Sequence, residues 1–229
     1  MLALGLLLAA RGAAQLLINP SFESDRVEGN VDSRNFSPLT GWTLSTTPPD
    51  LTNSSLAADG TQYLVLFAQG NASAVQEFIS QTITDTPGQL YTVSFQLRGG
   101  SQNNWAGSNY SDFYGNWLSY SADSYNSWTG TSAGLTFQAR VNGVGALSVV
   151  DPGTAQWNLE QFSFTGTGSD TLTFQNLGDS YAVANYTALS IDGLSVQAVP
   201  EPDSLLLAMG GLGLLVAGRA RWAQRSNRG

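Results

Sequence analysis

Eight aromatic side chains crowd the stretch from Ser101 to Gly134: Trp105, Tyr110, Phe113, Tyr114, Trp117, Tyr120, Tyr125 and Trp128, set among Asn, Ser and Gly. Ring faces flanked by amide and hydroxyl donors match what a sugar offers, an apolar CH face and hydroxyls that need partners. Trp105, Tyr114, Trp117 and Trp128 are therefore candidate glycan contacts. The same rings are as well suited to covering a neighbouring sheet, so ligand contact and structural packing both stay open for this segment. The stretch, 101–134, is also far longer than an ordinary loop, and loops of that length tend to carry function or disorder.

Catalysis would have to come from carboxylates, or from Tyr and Arg. Glycoside hydrolysis needs two carboxylates about 5 to 10 Å apart, and Glu23, Glu77, Asp112 and Glu160 are available. Spacing along the chain does not pair them, and Glu77 and Glu160 fall in β-type segments where an acid usually faces water. The chain has no His and no Cys. That removes the Ser-His-Asp triad, thiolate catalysis, disulfides and thiolate metal sites. A non-catalytic protein is expected, with a carboxylate glycosidase as the enzyme alternative.

Charge narrows the partners. The formal net charge is −8, every basic residue is an arginine, and between Leu16 and Ala198 only Arg26, Arg34, Arg98 and Arg140 stand against 15 acidic residues. Such a surface repels phosphate backbones and argues against nucleic acid as a partner.

The elements that must position these side chains read as β throughout the middle. Segments 61–67, 74–83, 90–97, 135–141, 146–150, 159–164, 171–177 and 188–196 are rich in β-branched and aromatic residues. Several alternate apolar with polar: Tyr91, Val93, Phe95 and Leu97 point one way, Thr92, Ser94 and Gln96 the other. Pro87-Gly88, Asn142-Gly143, Asp151-Pro152-Gly153 and Gly166-Thr167-Gly168 fill the gaps with turn chemistry. Short strands at this spacing predict an all-β, antiparallel sandwich or barrel over 15–198, with 101–134 as an aromatic-rich insert. Trp42 and Trp157 each open a strand and are expected in the core.

The two ends differ in kind. Met1 to Ala10 is a Leu and Ala run, and Gly12-Ala13-Ala14 offers the small residues a signal peptidase reads, so 1–14 is expected to be a signal peptide cut before Gln15. A buried structural strand is the alternative. At the other end Val199-Pro200-Glu201-Pro202 precedes an uncharged run, 204–218, then Arg219, Arg221, Arg225 and Arg228. As a helix that run would reach roughly 22 Å, short of the hydrocarbon core of about 30 Å, so alone it is a marginal span. Arginines after it and acids before it place the preceding domain outside under the positive-inside tendency.

Pro-Glu-Pro, a short apolar helix and an arginine cluster, together 199–229, resemble the PEP-CTERM sorting signal of Gram-negative bacteria. The resemblance implies an exosortase, an integral membrane cysteine transpeptidase, as a processing partner and export to the envelope or beyond with transient inner-membrane anchoring. An ordinary uncut anchor is the competing reading.

Asn19-Pro20-Ser21-Phe22-Glu23, Gly41-Trp42 ahead of a strand, the stretch 80–99, Trp157 leading the stretch 162–178, and the closing Ile191-Asp192-Gly193-Leu194-Ser195-Val196 are similar to the galactose-binding-like jelly rolls, which include many carbohydrate-binding modules. The resemblance implies a jelly-roll β-sandwich and a structural calcium held by Glu23 and Asp192, although Gly193 stands where the family often has an acid or amide. The other reading is a solvated Glu23 and an Asp192 that caps a turn.

The sequence thus predicts an exported, non-catalytic surface or extracellular-matrix protein that associates with extracellular polysaccharide. A structural or adhesion protein that binds protein or itself is the competing class.

Overall fold

A computed structural model describes residues 15–26, 32–33, 38–46, 48–53, 57–68, 76–101, 135–152, 156–177 and 187–200. The chain divides into two units, Met1–Gln197 and Ala198–Gly229, and the fold described below is that of the first.

All regular structure among the described residues is strand: β1 (Asp32–Ser33), β2 (Thr43–Leu44), β3 (Asp50–Asn53), β4 (Gln62–Ala68), β5 (Phe78–Thr84), β6 (Leu90–Ser101), β7 (Thr136–Val141), β8 (Val144–Val150), β9 (Asn158–Thr165), β10 (Ser169–Asn176) and β11 (Thr187–Ala198). They form two antiparallel sheets, a six-stranded one ordered β1-β3-β4-β11-β6-β9 and a five-stranded one ordered β2-β5-β10-β7-β8. From β4 onward the chain alternates between sheets, staying in one only for the β7–β8 hairpin. Its turn is the expected Asn142-Gly143, both left-handed at φ 51° and 78°, as a two-residue hairpin requires.

The alternation read in the sequence builds the core. Tyr91, Val93, Phe95 and Leu97 are buried while Thr92, Ser94 and Gln96 are half-buried on the other side. Phe95 of the six-stranded sheet reaches across to Phe137 and Phe174 of the five-stranded one, with ring centroids 5.1 and 5.5 Å apart. Trp42 packs on Phe174 at 6.2 Å and on Phe22 at 5.9 Å, so the opening motif is part of the same aromatic core. Edge-to-face and tilted rings at these spacings are the arrangements that ring quadrupoles favour.

Three expectations need correction. Short, polar β1 and β3 carry no alternation and were not anticipated. Trp157 is outside the main core: half-buried, it packs with Tyr63, Val65 and Ala57 in a second small cluster. Its ring lies 5.5 Å from that of Tyr63, and the Arg98 guanidinium sits 4.7 Å from the Trp157 centroid. The cause is that β4 buries both faces, Leu64 and Leu66 inward, Tyr63 and Val65 outward. Glu77, expected in water, is buried.

Candidate functional site

The opening and closing motifs meet on one turn. Glu23 Oε1 accepts the N–H groups of Thr61 (2.7 Å) and Gln62 (2.6 Å), and Oε2 accepts the Thr61 hydroxyl at 2.9 Å. Asp192 Oδ2 accepts the N–H groups of Ala58 and Asp59, each at 2.8 Å, and Oδ1 accepts that of Gly193 at 2.7 Å. Between the two sets lies Gly60 at φ +72°, where a Cβ would stand 2.5 Å from Glu23 Oε1. Burial pushes the Asp192 carboxyl up to about 7, against the pull of the N–H donors of Asp59, Gly193 and Ala58 and with a further push from the Asp59 charge. The pair was expected to hold calcium. A calcium shell needs six or more oxygens turned towards the ion. Here N–H and O–H donors fill both carboxyl groups, and among the described residues no three acid, imidazole or thiol side chains are grouped as a metal site. That donor set makes a hydrogen-bonded clamp.

A second acidic pair, Asp85 and Asp170, sits at one end of the sandwich. Burial and a hydrogen bond to Asp170 raise Asp85. Burial works against ionised Asp170, but Asp85 and donors from Thr167 and Asn142 outweigh it and bring Asp170 to about 2. Asp85 Oδ1 accepts Gly168 N–H at 2.6 Å, which ties the β5–β6 and β9–β10 connections together, while Asp170 Oδ2 accepts Thr167 N–H at 2.7 Å within the second of them.

Of the carboxylates a glycosidase would draw on, Glu23 is clamped, Glu77 is buried, and Glu160 lies half-buried opposite Phe95 on the inner side of β9. Asp112 lies outside the described residues, as do Trp105, Tyr114, Trp117 and Trp128, the 1–14 segment, Glu201, Pro202, the 204–218 run and Arg219, Arg221, Arg225 and Arg228. Val199 and Pro200 follow β11 as irregular backbone.

The described residues present a different candidate surface, the outer face of the five-stranded sheet. Because inward positions of β5, β7 and β10 go to Ile79, Ile83, Phe137, Ala139, Leu172 and Phe174, the alternate positions must face out. They are Phe78, Ser80, Thr82 and Thr84 on β5, Thr171, Thr173 and Gln175 on β10, and Thr136, Gln138 and Arg140 on β7. Register sets them in rows: Gln138 opposite Gln175 and Gln175 opposite Phe78, then Arg140 opposite Thr173, Thr173 opposite Ser80 and Ser80 opposite Thr43. The Gln138 carbonyl accepts Arg140 Nε–H at 2.6 Å and Gln175 Nε2–H at 3.2 Å, while the Thr82 and Thr171 hydroxyls bond at 2.8 Å.

Among the described residues no Asp or Glu faces out from these five strands and Arg140 is the one charge. On a chain of net charge −8, this is a sheet face of hydroxyls, amides, one guanidinium and the half-buried Phe78 ring. It can hydrogen-bond sugar hydroxyls and offer a ring to a CH face. The signal lay in the sequence, in every second residue of the predicted strands.

The class the architecture defines is an antiparallel β-sandwich of jelly-roll connectivity. No family model matches the chain, and no curated protein matches it. Among solved structures it is similar to the carbohydrate-binding module TmCBM61 in complex with β-1,4-galactotriose, at 17% identity and TM-score 0.49 over 82% of this chain and 100% of that one. It is also similar to the CBM22-1 xylan-binding domain from Paenibacillus barcinonensis Xyn10C, at 17% identity and TM-score 0.45 over 84% of this chain and 99% of that one. A third is the enzymatically active domain of bacteriophage CBA120 tailspike protein 4, at 14% identity and TM-score 0.46 over 81% of this chain and 21% of that one.

Proposed function

We propose that the protein is a non-catalytic, exported surface or matrix protein that associates with extracellular polysaccharide through the outer face of its five-stranded sheet. What carries this reading is the pair of acid-free rows Phe78–Gln175–Gln138 and Ser80–Thr173–Arg140 on an otherwise acidic chain. A neutral polyhydroxylated ligand meets donors and acceptors there without opposing charge. Native gels containing soluble polysaccharides test it: full-length protein is retarded by at least one glycan, and Phe78→Ala and Gln138→Ala relieve the retardation. No retardation across β-glucan, xylan, galactan and galacturonan gels would overturn it.

Export and sorting belong to the same proposal, through a signal over 1–14 and exosortase recognition of Val199-Pro200-Glu201-Pro202 ahead of the 204–218 run and its arginines. Deleting Pro200 to Pro202 and weighing the extracellular product tests this, an unchanged mature mass counting against it. Glu23 and Asp192 enter as a clamp that works without calcium.

One observation favours self-association as a second reading. Edge strand β8, sequence VGALSVV, has neither charge nor proline, and Val144 and Val150 are 71% and 67% exposed. Apart from the bulge at Gly145, such an edge lacks the usual protection against pairing with another strand. A Ser148→Lys variant that lowers the sedimentation coefficient would support that reading.

A further inference from the structure

Arg140 differs from the other well-placed arginine of the domain. Arg98 lies over two rings, 4.7 Å from the Trp157 centroid and 5.5 Å from that of Tyr63, on the outer side of the other sheet. Arg140 is instead held by its Nε–H alone, to Gln138 Oε1, whose position is fixed in turn by the buried Gln175. Among the described residues no carboxylate pairs with Arg140 and nothing accepts from its two terminal nitrogens. On β8 its register partner is Gly145, at a β-bulge, and that partner carries no side chain. On β10 its partner is the small Thr173. A planar fork with a pinned Nε and an open terminal edge is pre-organised for two parallel bonds to one carboxylate.

Charge limits how many carboxylates the ligand can carry. The chain has formal net charge −8, which opposes a dense polyanion at long range. One guanidinium on a face of hydroxyls and amides satisfies one acidic residue among neutral ones.

We propose that Arg140 selects the polysaccharide: the face takes a largely neutral glycan carrying occasional carboxylated sugars, and Arg140 receives the carboxylate. This rests on the reading of the five-stranded face as a glycan site.

Full-length protein is titrated calorimetrically with two series that share a backbone within each: galacturonan at high, intermediate and zero methyl-esterification, and β-1,4-xylan against sparsely glucuronylated xylan. In at least one series the sparsely charged member binds about tenfold more tightly than the neutral one, the worth of one good charge-assisted pair. Arg140→Gln abolishes that preference while keeping residual affinity for the neutral member, and Arg140→Lys keeps only part of it; unchanged thermal midpoints show that both variants fold. Equal binding of neutral and sparsely charged members by the wild type, or a preference that survives Arg140→Gln, overturns the assignment and leaves the glycan reading standing. Tightest binding to the fully de-esterified galacturonan overturns the sparse-charge limit. Absence of binding to every member removes the glycan reading and the assignment with it.

Discussion

Glu23 and Asp192, from opposite ends of the domain, accept hydrogen bonds from one short turn, Ala58 to Gln62, and so fasten the opening motif to the last strand through a segment that belongs to neither. In a chain with no cysteine, this fastening occupies the place that a disulfide or an ion would otherwise take.

The clamp has a mutational signature. Glu23→Ala takes the acceptor from two N–H groups and a hydroxyl at an exposed turn and is expected to lower stability by about 1 kcal/mol. Gly60→Ala places a Cβ 2.5 Å from Glu23 Oε1 at a left-handed φ, and a loss of about 2 kcal/mol is expected there as well. Urea unfolding of the two single variants and the double variant checks this; the double variant should lose less than the sum, because both changes strike the same contact.

Calcium should be without effect on the same clamp. Thermal midpoints in excess EDTA and in millimolar calcium are expected to coincide, since N–H and O–H donors already bond both carboxyl groups. A midpoint that rises with calcium and returns on chelation would contradict the hydrogen-bonded account.

Asp192 sets the sign of a pH dependence. Its folded value of about 7 stands above its ordinary 3.8, so the folded state holds a proton that the unfolded chain releases. Its contribution is fully present below the ordinary value, declines as pH rises through the interval, and is gone above about 7. Asp170, lowered to about 2, acts in the opposite sense and only in strong acid. Chemical denaturation at pH 5 and pH 8 should therefore find the wild type more stable at pH 5. In Asp192→Asn that difference should shrink, at some cost in stability from the amide hydrogens now facing Gly193 N–H.

The two tryptophans that open strands should not behave alike. Trp42→Phe disturbs the aromatic core and loses the indole N–H bond to the Asn19 carbonyl, 3.1 Å long, with an expected cost of about 2 kcal/mol. Trp157→Phe keeps a ring on the surface cluster beside Tyr63 and Arg98 and should cost under about 1 kcal/mol. Denaturant midpoints compare them directly.

The sandwich was legible because its long strands alternate over a buried face: β6 declares its inward set at Tyr91, Val93, Phe95 and Leu97 without any knowledge of its neighbours. Short, polar β1 and β3 carry no such period. The second cluster was hidden because nothing local in the sequence YLVLF says that β4 is covered on both sides. The outer face of the five-stranded sheet was half visible. Ser80, Thr82, Thr173, Gln175, Gln138 and Arg140 could be named as outward residues from alternation alone, but their meeting in rows depends on β7 lying beside β10 and β10 beside β5, a non-local pairing that periodicity does not encode. The clamp was found through its two carboxylates, while its donors, the backbone N–H groups of residues 58 to 62, have no sequence signal.

The most direct measurement compares the face with the aromatic insert. Full-length wild type, Phe78→Ala and Trp117→Ala are titrated calorimetrically with the polysaccharide that most retards the wild type in native gels. The account predicts affinity about tenfold weaker for Phe78→Ala, the loss of one stacking ring, and near wild-type affinity for Trp117→Ala. Undiminished binding by Phe78→Ala together with its loss in Trp117→Ala would contradict it and return the site to the insert.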